Sequence, residues 1–223
     1  MAHRTEDRLA NQGTTSTRPR KERTENAERR RRQLVDATLT SVAENGLART
    51  TLATVARAAG LSQGVAVFYF ETKEKLLAAA LSHQYGAYEE SWKKALKSAG
   101  DDPARQLAAL VRADLSEENC NRDALAVWFS FWGEASFRPR YAEIARDFDT
   151  SRSAEIERIC AALMKDADSD AIRDAAYQID SLTDGFWHRL YLTPETFTND
   201  EGIRLTLAHL RNVFPERAEA FED

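Results

Sequence analysis

Cysteine, histidine, glycine and proline are all scarce in this chain: two, four, nine and five residues in 223. Cys120 and Cys160 stand in no paired motif, and no Cys or His cluster has metal-ligand spacing, so neither a disulfide framework nor a metal site is expected. Long apolar runs are missing too. Nothing approaches the roughly 18 residues of a spanning helix, and the opening MAHRTEDRLANQG has no apolar stretch of signal-peptide type. These absences argue for a cytoplasmic protein with no membrane partner. The scattered histidines offer no nucleophile and base arrangement, so no enzyme, catalytic residue or cofactor is expected.

What is present is charge, unevenly placed. Residues 1–75 hold fourteen Lys and Arg against nine Asp and Glu, while residues 76–223 hold seventeen against twenty-seven. A basic third joined to an acidic remainder suggests that one end meets a polyanion. Residues 1–26 have Leu9 as their one large aliphatic and read as a disordered tail. Residues 27–75 then form a small helical domain and residues 76–223 a larger one; helical periodicity without strand signals predicts an all-α fold.

Within 27–75 the punctuation is dense. A helix carrying Leu34, Val35, Thr38, Leu39 and Val42 ends at Gly46; Thr50 or Thr51 caps a second, which Gly60 stops; Ser62 caps a third running to about Phe68; Thr72 caps a fourth. Two short helices across a tight Gly turn have the geometry of a helix-turn-helix, whose second helix leads with Ser62, Gln63 and Gly64 toward base edges. The segment TTLATVARAAGLSQGVAVFYFETKEKLL resembles the DNA-binding signature of the TetR family, through the helix-turn-helix, the Tyr69 and Phe70 pair, and the Thr72-Lys73-Glu74 helix start. The segments WFSFWGEASFRPRY and DSLTDGFWHRLYL resemble the C-terminal domain of BetI-type repressors, whose best-known members control choline and glycine betaine metabolism. The resemblance covers roughly residues 28–214.

It implies a regulator binding double-stranded operator DNA. Lys73 and Tyr69 are candidate phosphate contacts, joined by Thr50 or Thr51, and Phe70 closes the core. Family members often carry polar or aromatic residues in the middle of the recognition helix, whereas this chain has Val65, Ala66, Val67 and Phe68. Gln63 can pair with adenine and Val65 or Val67 can meet thymine methyls, unless Ala66 marks that face as core. The run Arg29 to Arg32 is either an arm along the backbone, with Arg29 and Arg31 in contact, or a solvated helix start.

In the larger domain Trp128 and Trp132 share a helix face with Phe131 beside them, and Trp187 lies one turn past Asp184. With Trp92 these form either a cage for an organic cation such as choline or an ordinary aromatic core; the resemblance favours the cage. A buried Asp180 or Asp184 needs a partner: a ligand cation, Arg189 or a hydroxyl. Apolar stripes at Ile172, Ala176, Ile179 and Phe186, then Ile203, Leu207 and Leu210, are either a four-helix homodimer interface or intramolecular core. A palindromic operator, with half-sites about 34 Å apart, demands a dimer. The resemblance implies a repressor released by a small-molecule effector; a non-specific architectural DNA binder, and an activator or sensor with a neutral apolar ligand, are the alternatives.

Overall fold

The computed structural model describes residues 20–222. Among these residues there are ten α-helices and no strand: α1 (Arg20–Arg49), α2 (Leu52–Ala58), α3 (Gln63–Phe70), α4 (Lys73–Ala99), α5 (Pro103–Asp114), α6 (Glu117–Cys120), α7 (Arg122–Ala135), α8 (Pro139–Leu163), α9 (Ser169–Leu192) and α10 (Asn199–Val213), closed by a 3-10 turn at Pro215–Phe221. The expected tail is shortened, because α1 already begins at Arg20 and takes in residues 20–26. The rest of that expected tail, residues 1–19, lies outside the described residues.

Local chemistry sets the helix ends. Gly46 breaks α1 at a φ of 73°, and Gly60 turns the chain between α2 and α3 at 67°, a region in which a Cβ is strained. Thr51 caps α2 in a reciprocal box with Thr54, Ser62 caps α3 through the Val65 amide, and Thr72 caps α4 through the Lys75 amide. Between α3 and α4, Glu71 sits at φ 60°, ψ −53°, and the Thr72 amide donates back to the Phe70 carbonyl. That is a strained γ-turn, and it sets the exit angle of α3.

Two cores result. The smaller gathers Leu34, Val35, Val55, Ala56, Ala66, Phe70, Leu76 and Ala80 from α1 to α4. The larger holds the aromatics of α4, α7, α8 and α9, with Phe197, Phe214 and Phe221. They are not joined by a linker: α1 contributes Val42 and α4 contributes Leu77, Leu81 and Tyr85 to the larger core. A shift of α4 is therefore felt in both cores, because one rigid rod crosses both.

Candidate functional site

The leading end of α3 is a solvent-facing surface. Gln63 and Gly64 are exposed, Val67 is 42% and Phe68 78% exposed, while Ala66 and Phe70 are buried. At 3.6 residues per turn, a helix of eight residues can bury one thin stripe, and here that stripe is Ala66 and Phe70. Ala66 is therefore core, as one reading of the sequence allowed. Val65 and Tyr69 are half-buried, and the Tyr69 ring stands edge-on to Phe68 at 5.1 Å. Val67 and Phe68 together leave an apolar strip exposed on this face.

Several expected contacts have other duties. Thr50 is fully buried; its hydroxyl donates to the Gly46 carbonyl and lies 3.0 Å from Ser41 Oγ, so it cannot meet a phosphate. Thr51 remains exposed. Lys73 turns away from the surface: its Nζ donates to the Leu47 and Ala48 carbonyls at 2.7 and 3.1 Å, closing the C-terminal end of α1. Arg31 lies 4.5 Å above the Phe70 ring and donates to the Tyr69 carbonyl, tying α1 to the end of α3. Arg29 is exposed and donates to Asn26 Oδ1.

The larger core contains a cavity of about 260 Å³. Trp128, Trp132 and Trp187 line it, each pair of rings 5.8 Å apart. Tyr85 and Tyr88 of α4 complete the aromatic wall, with Tyr85 4.6 Å from Trp128 and Tyr88 5.5 Å from Trp187. Trp132 Nε1 donates to the Tyr85 hydroxyl at 3.2 Å. Trp92 and Phe131 are buried but do not line the cavity, contrary to expectation; Phe131 packs instead against Tyr141. Residue 131 is three past Trp128, and its side chain falls on the α8 side of α7.

The charges around the cavity were largely illegible in the sequence. Arg152 is buried and pairs with Asp114, 2.9 Å away, and with Asp180. Asp180 thus finds its cation on α8 rather than in Arg189. Asp114 also accepts from the Tyr88 hydroxyl, and its backbone carbonyl accepts from Trp187 Nε1 at 3.2 Å. Burial opposes the Arg152 charge, but Asp114 and its other anionic neighbours hold the guanidinium above its ordinary range. Asp149 and Asp184 also line the cavity and reach solvent at its mouth, with no ion-pair partner among the described residues. Desolvation, then Asp114, push the Asp184 carboxyl up to about 6, and desolvation raises Asp149 against the pull of Arg152. Among the described residues, Trp128 Nε1 and Arg152 Nε are buried without an acceptor, as is the Tyr141 hydroxyl away from the cavity lining. Four carboxylates against one guanidinium leave a negatively charged aromatic chamber.

The expected dimer stripes divide. Ala176, Ile179, Leu207 and Leu210 are buried within the chain and form its own core, since each points toward neighbouring helices rather than outward. Ile172, Phe186 and Ile203 are half-buried against that core, with Phe186 stacked on Phe197 at 5.2 Å. The outward face of α9 instead carries Tyr177, Ser181, Gly185, His188 and Leu192.

Residues 34–80 match the family of bacterial regulatory proteins named for tetR, and residues 103–215 match the C-terminal domain of BetI-type transcriptional repressors. The HTH-type transcriptional regulator BetI of Paraburkholderia xenovorans is 32% identical over 188 residues, covering 84% of this chain and 95% of the relative. Its namesake in Stenotrophomonas maltophilia is 31% identical over 181 residues, or 81% and 91%. Among solved structures, a transcriptional regulator of Pseudomonas aeruginosa PAO1 superposes with a TM-score of 0.77 at 24% identity, covering 87% and 95% of the two chains. A regulator of Saccharomonospora viridis, solved in complex with choline, gives 0.74 at 19% identity over 82% and 96%. These last two share the fold. Residues matched at both ends and the extent of the BetI relatives leave one assignment: the chain belongs to the TetR family of DNA-binding transcriptional regulators, with a C-terminal domain of the BetI repressor type.

Proposed function

We propose that the protein is a cytoplasmic, homodimeric repressor that occupies a palindromic operator through α3 and is released by an organic cation bound in the aromatic cavity. The observation that carries the effector class is the pairing of three tryptophans with Asp149 and Asp184, two carboxylates without an ion-pair partner among the described residues. A cation over an indole face gains about 0.5–2 kcal/mol, and an uncompensated carboxylate nearby adds to it. The regulator of Saccharomonospora viridis in complex with choline supports the same chemistry.

On the DNA side, Gln63 reads a base edge, and Val67 and Phe68 meet apolar groove surface such as thymine methyls. Thr51, Tyr69 and Arg29 face the backbone, and Lys73 orders the domain that presents them. The route between sites is α4, whose first residue holds the end of α1 and whose middle supplies Tyr85 and Tyr88 to the cavity. An effector that prefers one setting of α4 shifts the spacing of the two recognition helices by its differential affinity.

Tryptophan fluorescence titrated with choline, betaine aldehyde and polyamines, beside a neutral aromatic control, tests the effector class. Saturable quenching by cations alone is expected; quenching by the neutral compound alone would replace the cation with an apolar ligand. Operator binding is measured in excess unrelated DNA, where a specific regulator keeps an advantage of about three or more orders of magnitude. Equal competition would return the protein to a non-specific DNA binder.

A further inference from the structure

Among helices α2 to α10, α8 alone begins without a side-chain cap; a Thr, Ser, Asp or Asn bonds a first-turn amide in each of the others. Arg138 stands at the cap position of α8, Pro139 follows it, and the first turn holds no acidic residue. The Tyr141 and Ala142 amides donate to the Arg138 carbonyl at 2.9 and 3.4 Å, which leaves the Arg140 amide without an acceptor among the described residues. The positive end of a 25-residue helix is therefore open to an anion.

A cleft of about 470 Å³ lies beside this end, between α4 and the turn from α7 to α8. Lys75, Arg138 and Arg140 line it against one carboxylate, Glu74. Phe137, 82% exposed, forms an apolar wall with Pro139 and Ala78. The three cations pair with Glu71, Glu134 and Glu143, exposed contacts that solvent screens and a ligand can displace. An adjoining cleft of about 660 Å³ shares Lys75, Ala78 and Arg140 and adds Arg31 and Arg32 of α1, so the positive surface continues toward the DNA-binding unit.

Tyr141 is a second, independent sign. It is 3% exposed and lines the smaller cleft, and its hydroxyl has no hydrogen-bond partner among the described residues. Burial lifts the phenol above its ordinary range; Arg138 and Glu74, two of the charges that act on it, line the same cleft, so the hydroxyl lies on that side. A buried phenol with no acceptor is uncommon, and here it stands one residue from an amide with the same lack.

We propose that this groove is a second ligand site, for an organic carboxylate with an apolar body. The carboxylate takes the missing cap position of α8, accepting from the Arg140 amide and the Tyr141 hydroxyl between the Lys75 and Arg140 side chains. The body lies along Phe137, Pro139 and Ala78. No residue of the tryptophan cavity lines this cleft, so the site stands apart from the cation reading. It gives the regulator an anion input at the junction of α4 and α8.

Calorimetric titration of the whole chain with octanoate and benzoate, beside inorganic phosphate and octanol, tests it. Either carboxylate should bind at one site per chain, at least about tenfold more tightly than phosphate or octanol. Arg140→Ala, an exposed position, should weaken octanoate about tenfold. Tyr141→Phe should weaken it several-fold while the thermal midpoint holds or rises, because the hydroxyl removed has no partner to lose. Choline affinity should be unchanged in both variants. A native chain that binds neither carboxylate, phosphate or octanol binding as tightly as octanoate, or native octanoate affinity in Arg140→Ala would each overturn the site. A lowered midpoint in Tyr141→Phe would overturn the open hydroxyl on which it rests. Octanoate binding with no choline binding would overturn the organic-cation effector and leave this site standing.

Discussion

The two cores are built on opposite plans. The core of α1 to α3 and the start of α4 uses small aliphatics and one buried aromatic, Phe70, and keeps its exposed aromatic, Phe68, for the outside. The core of α4 to α10 encloses three tryptophans, a buried arginine and a chamber. A domain that must present a rigid short helix to DNA gains from dense packing with nothing left unsatisfied. The larger core keeps unfilled volume and unbalanced charge, which suits the effector binding proposed for it. Dense packing and the open chamber are thus kept apart in one chain, and α1 and α4 run through both cores.

Removing the guanidinium strains this contrast most. Arg152→Ala strands Asp114 and Asp180 beside the cavity and should cost about 3–5 kcal/mol in urea unfolding. A stability within 1 kcal/mol of the native chain, roughly, would mean that these carboxylates are solvated and the chamber is not a low-dielectric one. In the smaller core, Thr50→Val removes a buried hydroxyl bonded to Gly46 and should cost about 1–3 kcal/mol, with operator affinity unchanged once the protein is folded. Weaker DNA binding at full folding would instead return Thr50 to the phosphate backbone.

A subtler lever is pH. The folded-state pKa of Asp184, about 6, stands above the ordinary value of 3.8, so between these values the folded chain holds the proton more tightly than the unfolded one. Its contribution favours folding at acid pH and is lost as pH rises through about 6. The proposed cation binding runs the other way, because it needs the carboxylate. Choline affinity should therefore be several-fold weaker at pH 5 than at pH 7.5, and a flat profile in calorimetry would remove Asp184 from the site. The smallest effect expected lies between the two cores' domains: Glu71→Gly relieves a positive φ and should stabilise by about 1 kcal/mol, net of the entropy that glycine adds to the unfolded chain. A loss of thermal stability would show that the Lys75 ion pair outweighs the strain.

The helix-turn-helix was legible because its signals are local. Thr51, Ser62 and Thr72 each bond an amide three residues on, and Gly60 answers a turn that needs positive φ; none of this requires knowledge of the rest of the chain. The roles of individual side chains on that surface were less legible. Lys73 looked free for a phosphate because its acceptors, the carbonyls of Leu47 and Ala48, lie more than twenty residues earlier. The cavity was legible in part: Trp128 and Trp132 are neighbours by helical spacing, and Asp184 and Trp187 likewise. Periodicity said nothing of Tyr88 meeting Asp114, or of Arg152 meeting both Asp114 and Asp180, since those pairs join α4, α5, α8 and α9. For the same reason apolar spacing could not separate the core stripe of α9, Ala176 and Ile179, from the face that carries Tyr177.

By itself, then, the sequence determined what depends on short-range chemistry: an all-α chain, the ends of the helices that form the DNA-reading unit, and a basic region set against an acidic one. Tertiary packing fixed which aromatics wall a chamber, which carboxylates already have a cation, and which face of α9 is left exposed. The physical reason is that capping and periodicity act within a few residues, whereas desolvation and ion pairing depend on what distant helices bring alongside.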